Sequence, residues 1–227
     1  KVFRVMSGDR GHVQEVLAGL QHAARVGLAP IKINCVVQRG VNESEVLPLV
    51  EYCRAHGYLP RFIEYMDVGT CNRWQMAAVV PSRELLARIH ARYPLEPLQS
   101  AYRGEVAERY RFVDGTGEVG FISSVSQPFC GDCTRARLSA DGHLYTCLFG
   151  RSGRDLRTLL RSGAGDAAVR EAVTAVWRAR IDRYLIQCDP VDAGVIWANW
   201  FDDPEVLESR RRLLADESVN GNGTTTT

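Results

Sequence analysis

A chain of 227 residues, 45% of them hydrophobic, is long enough to bury one sizeable core or two smaller ones. Its 28 basic and 27 acidic residues nearly cancel, so bulk charge argues against a nucleic-acid or membrane-surface partner, and any anion site must be local. No apolar run approaches the roughly 20 residues of a membrane span, and the opening KVFRVMSGDR lacks the apolar stretch of a secretory signal, so a cytoplasmic protein is expected.

In chain order, the first expected element is a helix over residues 11–26, where Val13, Val16, Leu17, Leu20 and Ala24 recur at helical spacing and Gly27 suits its end. A strand follows over 31–37, with Ile31, Ile33, Cys35 and Val37 alternating against Lys32, Asn34 and Val36. Asn42 with Glu45 reads as a capping box opening a helix that Gly57 closes, and residues 60–66 read as a second strand. This alternation of helix and strand implies βα units and a parallel sheet. After Met66 the pattern changes, which places a boundary near residue 70. A loop through Gly69, Cys71 and Asn72 leads to a helix over 82–93. Strands at 105–113 and 118–125 follow, separated by the turn Asp114-Gly115-Thr116-Gly117. Helices are expected near Leu156–Leu160, ending at Gly163, and around Val169–Trp177. From about Leu185 the chain becomes aromatic, then charged, then ends in Asn-Gly-Asn-Gly and four threonines, a tail with little apolar surface to offset chain entropy.

Seven cysteines form no regular disulfide framework, and Cys35, Cys53, Cys71 and Cys188 stand apart. The other three make C-x2-C-x13-C: Cys130, Cys133 and Cys147. Gly131 lets the first two thiolates turn toward one metal, and a third thiolate from a later element would leave one coordination position open on a metal or cluster. Spacing alone leaves iron–sulfur and zinc level, with His143 as a fourth ligand in a Cys3His site. Unligated packing is the remaining reading. Arg135 and Arg137 lie two apart, so in an extended segment both guanidinium groups face one way and suit a phosphate-bearing ligand. Solvation, or ion pairs with Asp132 and Asp141, is the plainer explanation, less favoured beside the cysteines. Lys32 and Arg61 are charges within expected parallel strands. They either line a cavity, pair with acids such as Glu64 or Asp67, or sit in solvent at strand ends.

The run from Phe121 through Cys130-Gly-Asp-Cys133-Thr-Arg-Ala-Arg137 to Cys147-Leu-Phe149 closely resembles the second cluster motif of the GTP 3′,8-cyclase family of molybdenum-cofactor biosynthesis. Residues 31–37, the run from Arg61 to Gly69, and Gly104-Glu-Val106 resemble that family in the same order, and the likeness runs from about residue 1 to 184. The resemblance implies an α/β chain: an incomplete radical-SAM βα barrel over 1–70, an α+β domain over 71–184 carrying a second [4Fe-4S] cluster, and a divergent tail over 185–227. It implies Cys130, Cys133 and Cys147 as cluster ligands, and Lys32, Arg135, Ala136 and Arg137 as contacts to GTP. Met66 would lie against S-adenosylmethionine, and Arg61 would line the substrate cavity. The implied activity is radical-SAM conversion of GTP to 3′,8-cyclo-7,8-dihydro-GTP, a lyase reaction. A non-catalytic GTP- or cluster-binding module, or the auxiliary-cluster domain of another radical-SAM enzyme, is the alternative.

Two departures from the family pattern shape the expectation. The radical-generating C-x3-C-x2-C motif, which holds the first cluster, is absent, since no cysteine precedes Cys35. The family's Gly-Gly end is replaced by Thr224 to Thr227. The chain is therefore expected to be a fragment, inactive alone, with a missing amino-terminal half and a second copy of itself as further partners. Exposed apolar edges are expected on both the 31–37 and 60–66 strands.

Overall fold

A computed structural model of the protein describes residues 1–66, 74–130, 133–150 and 152–180. The expected loop through Gly69 and Cys71, Gly131 with Asp132, and the 185–227 tail lie outside the described residues. The chain divides into two compact units, Lys1–Gln127 and Pro128–Thr227.

The first unit is built on a five-stranded mixed sheet in the order β1-β2-β5-β4-β3. Its strands are β1 (Lys32–Val37), β2 (Leu59–Glu64), β3 (Leu95–Leu98), β4 (Glu108–Phe112) and β5 (Glu118–Ile122). As the alternating pattern implies, β1 and β2 are parallel, joined by a crossover through helix α3 (Val46–His56). The sheet does not stay parallel. β5 is parallel to β2, β4 is antiparallel to β5 because the five-residue connection 113–117 can only reverse the chain, and β3 is antiparallel to β4. In the 113–117 connection Gly115 and Gly117 take positive φ (77° and 123°), and the Asp114 carboxylate accepts from the Thr116 amide and hydroxyl at 3.1 and 2.7 Å. One sheet thus draws strands from both sides of the boundary expected near residue 70, since β5 pairs with β2.

Alternation along the strands sorts the side chains. Val37, Phe62, Val119, Phe121 and Phe112 share one face and form a buried core with Val46 and Val50 of α3 and with Leu85 and Ile89 of α4 (Ser82–Arg92). Burying each such side chain is worth about 1.5–3 kcal/mol. Lys32, Asn34 and Arg61 occupy the opposite face, with Asn34 directly across from Arg61 and Arg61 across from Gly120.

Several expectations need correction. Asn42 does not cap a helix: its side-chain oxygen accepts from the Gln38 amide and its nitrogen donates to the Val36 carbonyl, each at 2.8 Å. A short 3₁₀ turn, Glu43–Glu45, intervenes before α3, which Gly57 closes in the left-handed conformation as expected. Helix α2 (Val13–Arg25) forms where its periodicity predicts, yet buries none of its residues. Of the two expected exposed edges only β1 is one; β2 lies between β1 and β5. Helix α1 (Val2–Met6) and strand β3 were not anticipated. β3 contains Pro97 and is an edge strand, where a residue without an amide hydrogen is tolerated.

The second unit contains a three-stranded antiparallel ribbon of β6 (Arg137–Leu138), β7 (His143–Tyr145) and β8 (Arg154–Asp155), followed by α5 (Arg157–Arg161) and α6 (Asp166–Arg178). The two helices fall where the leucine and valine spacing places them.

Candidate functional site

The ribbon organises the cysteine segment. The Cys133 amide donates to the Cys130 carbonyl at 3.4 Å. The chain then runs extended into β6, and burial alternates: Arg135 and Arg137 are half-buried while Thr134 and Ala136 are exposed. The two arginines therefore do share a side, as their spacing implies. β6 pairs with β7 in the register Arg137 opposite Tyr145, so continuing the antiparallel register leads Cys147 toward the end of the ribbon from which Cys133 enters. All three cysteines are half-buried.

Charge separates Cys133 from the packed cysteines. Burial pushes the Cys35 thiol up, and pushes that of Cys53 up to about 12. Both then behave as small apolar residues. At Cys133 burial also acts upward, but hydrogen bonds from Arg180 and from the backbone and side chain of Arg135 outweigh it and bring the thiol to about 7. Arg135 Nε stands 3.3 Å from Cys133 Sγ, and its guanidinium lies 4.6 Å over the Phe129 ring. Three thiols, one of them eased toward thiolate, suit an iron–sulfur cluster in donor chemistry. Among the described residues, however, no group of three or more His, Cys, Asp or Glu side chains is drawn together closely enough to hold a metal ion. His143, the fourth ligand of the zinc alternative, has its Nδ1 3.1 Å from the Asp141 carboxylate and stands opposite Asp155 on β8.

In the first unit, Lys32 is exposed on edge strand β1 and Arg61 is half-buried on β2, both on the face away from the core; Met66 follows β2 and is half-buried. The stem of Arg61 crosses β5 at Gly120, where an added Cβ would stand 3.2 Å from Arg61 Cγ. Glu64 is not a partner for Lys32 or Arg61. Being three residues from Arg61 along the strand, it faces the core side, 1% exposed, and its carboxylate accepts from the Ser82, Val125 and Ser126 amides and the Ser126 hydroxyl at 2.5–2.8 Å. Thus Lys32 and Arg61 belong to one unit, and the cysteines with Arg135, Ala136 and Arg137 to the other.

Sequence reading missed three residues of weight here. Gly120 sits in an apolar strand with no turn signal, and Glu64 was read only as a charge partner. Arg180 follows Trp177 at helical spacing but stands 47 residues from Cys133, to whose carbonyl it donates. Nothing in the sequence announces that meeting.

Comparison with known proteins agrees with the motif. The chain is 58% identical over 183 residues to the GTP 3',8-cyclase of Xanthomonas campestris pv. campestris (strain 8004), an alignment covering 81% of this chain and 53% of that protein. It is 51% identical over 176 residues to the GTP 3',8-cyclase of Acidothermus cellulolyticus, covering 76% and 49%. With that of Synechococcus sp. (strain CC9605) it shares 44% over 193 residues, covering 83% and 54%. The chain therefore spans about half the length of the curated relatives it matches. The Molybdenum Cofactor Synthesis C model matches residues 60–186, more than half of the chain, and the protein belongs to that family.

Proposed function

We propose that this chain supplies the carboxy-terminal part of a GTP 3′,8-cyclase, the radical-SAM lyase that opens molybdenum-cofactor synthesis. The observation that carries this reading is the 58% identity over 183 residues to a protein of that name. In this reading Cys130, Cys133 and Cys147 hold a [4Fe-4S] cluster, and residues 1–70 contribute part of an incomplete βα barrel, with residues 71–184 as the cluster and substrate domain. When bound, the cluster supplies an iron with an open position for the substrate's base, and S-adenosylmethionine supplies the radical.

The chain's own residues bind and orient. Arg137 and Lys32 offer positive charge to the GTP phosphates, and Arg135 adds charge beside Cys133 while the Ala136 backbone contacts the nucleotide. Arg61, resting on Gly120, lines the substrate cavity, and Met66 lies against the apolar part of S-adenosylmethionine. The half-buried setting of the cysteines supports the reading, because partial exclusion of water strengthens every charge interaction around them.

The test is the iron, acid-labile sulfide and zinc content of anaerobically reconstituted chain, before and after Cys130→Ala. Near four iron and four sulfide per chain are expected, lost in the variant. Micromolar GTP binding by the loaded chain should then weaken about tenfold or more in Arg137→Ala, the scale of one charge-assisted contact. Stoichiometric zinc without sulfide would overturn the reading.

A further inference from the structure

Arg180, just beyond the end of α6, reaches the cysteine segment. The Arg180 amide donates to the Trp177 carbonyl at 3.4 Å, so the residue still follows the helix, and its guanidinium lies 5.0 Å from the centre of the Trp177 ring. Nη1 of the same guanidinium donates to the Cys133 carbonyl. Arg135 grips the same residue at its sulfur, with its own guanidinium seated on Phe129. Each arginine thus rests on an aromatic face, which limits the rotamers of a long side chain, and each directs a donor at Cys133. Trp177 is 40% exposed, so filling a core is not its main use; it serves as the seat for Arg180.

We infer that Arg180, seated on Trp177, is a positioning residue that fixes the Cys133 peptide and keeps a positive charge beside the cluster. The inference rests on the cluster assignment proposed above. Partners of metal ligands act this way generally: they orient the donor and tune the metal. Arg180 differs from Arg135 and Arg137 in coming from outside the motif. It ties Cys133 to the end of a helix that lies well beyond the motif in the chain.

The experiment uses the 227-residue chain, reconstituted anaerobically with iron and sulfide, as wild type, Arg180→Met and Arg180→Lys. Methionine keeps an apolar stem against Trp177 but removes the donors and the charge. In Arg180→Met, release of iron to a chelator is expected to quicken about tenfold or more. The reduction potential of the cluster should fall, because a positive charge that favours the extra electron is gone. Arg180→Lys should restore the potential while leaving release fast. Unchanged release and potential overturn the inference, as does a variant that only melts at lower temperature with its potential unmoved. Should the wild type take up no cluster, the functional reading fails separately. Hydrogen exchange on the metal-free chain then decides: faster exchange at the Cys133 to Arg135 amides in Arg180→Met supports the positioning role, and equal exchange overturns it.

Discussion

At Glu64 a carboxylate that is 1% exposed is held by four uncharged donors, joining the end of β2 to the first turn of α4 and to the segment after β5. Glutamine has the same shape but turns an acceptor into a donor that faces donors. Glu64→Gln should therefore cost about 3 kcal/mol or more in urea unfolding. Exchange should quicken first at the amides of Ser82, Val125 and Ser126; uniform exchange across the unit would contradict the assignment. Asp114 makes the complementary case at the surface. The Arg54 guanidinium, with the Thr116 hydroxyl and amide, holds its carboxyl at about 2, below the ordinary 3.8. A depressed carboxylate contributes stability that is full above its ordinary value and lost as pH falls through its folded value. Stability should thus fall between about pH 4 and 2 by a part that Asp114→Asn removes, seen as a shallower acid slope in urea midpoints; an unchanged slope would exclude the pair as a contributor. Arg54 lies between Tyr93 and Phe112, 4.3 and 4.4 Å from their centres, which fixes its end of the pair.

At the scale of elements, the ribbon of the second unit depends on a glycine. Gly142 has φ of +85°, and a Cβ there would stand 2.6 Å from the Cβ of Arg157, while the Gly142 carbonyl accepts from the Leu156 and Arg157 amides. Gly142→Ala combines backbone strain with overlap at the start of α5, so a loss of about 2 kcal/mol or more is expected in thermal or urea unfolding. A loss under about 0.5 kcal/mol would mean that α5 moves aside freely. Gly57, also left-handed but with open space around it, should cost only about 1 kcal/mol on the same substitution. The comparison separates steric contact from backbone preference. Because the Gly142 turn sets the pairing of β6 with β7, it also sets which end of the ribbon receives Cys147.

Across the whole molecule, apolar surface is distributed unevenly. The first unit has a continuous core on one side of its sheet, yet α2 buries nothing, and Val13, Val16 and Val36 are 38%, 47% and 38% exposed. Val16→Lys should accordingly leave stability within about 0.5 kcal/mol, since it removes no buried contact. It should also reduce binding of a hydrophobic dye by the isolated chain. A large loss of stability would show that this face is covered in solution. No helix among the described residues is long and apolar enough to cross a membrane.

Local pattern was sufficient for much of this protein. Hydrophobic periodicity places α2, α3, α4, α5 and α6 and strands β1, β2, β4 and β5, because a period of 3.6 or 2 is a property of neighbouring residues. The C-x2-C-x13-C run with its two arginines is equally local, as is the shared side of Arg135 and Arg137. What the chain does at long range had to come from the folded structure. The antiparallel half of the sheet, the edge position that admits Pro97, the donors that satisfy Glu64, the lane over Gly120 for Arg61 and the grip of Arg180 on Cys133 all join residues far apart in sequence. Such contacts depend on which surfaces meet after the chain has closed, and no window of neighbouring residues encodes that.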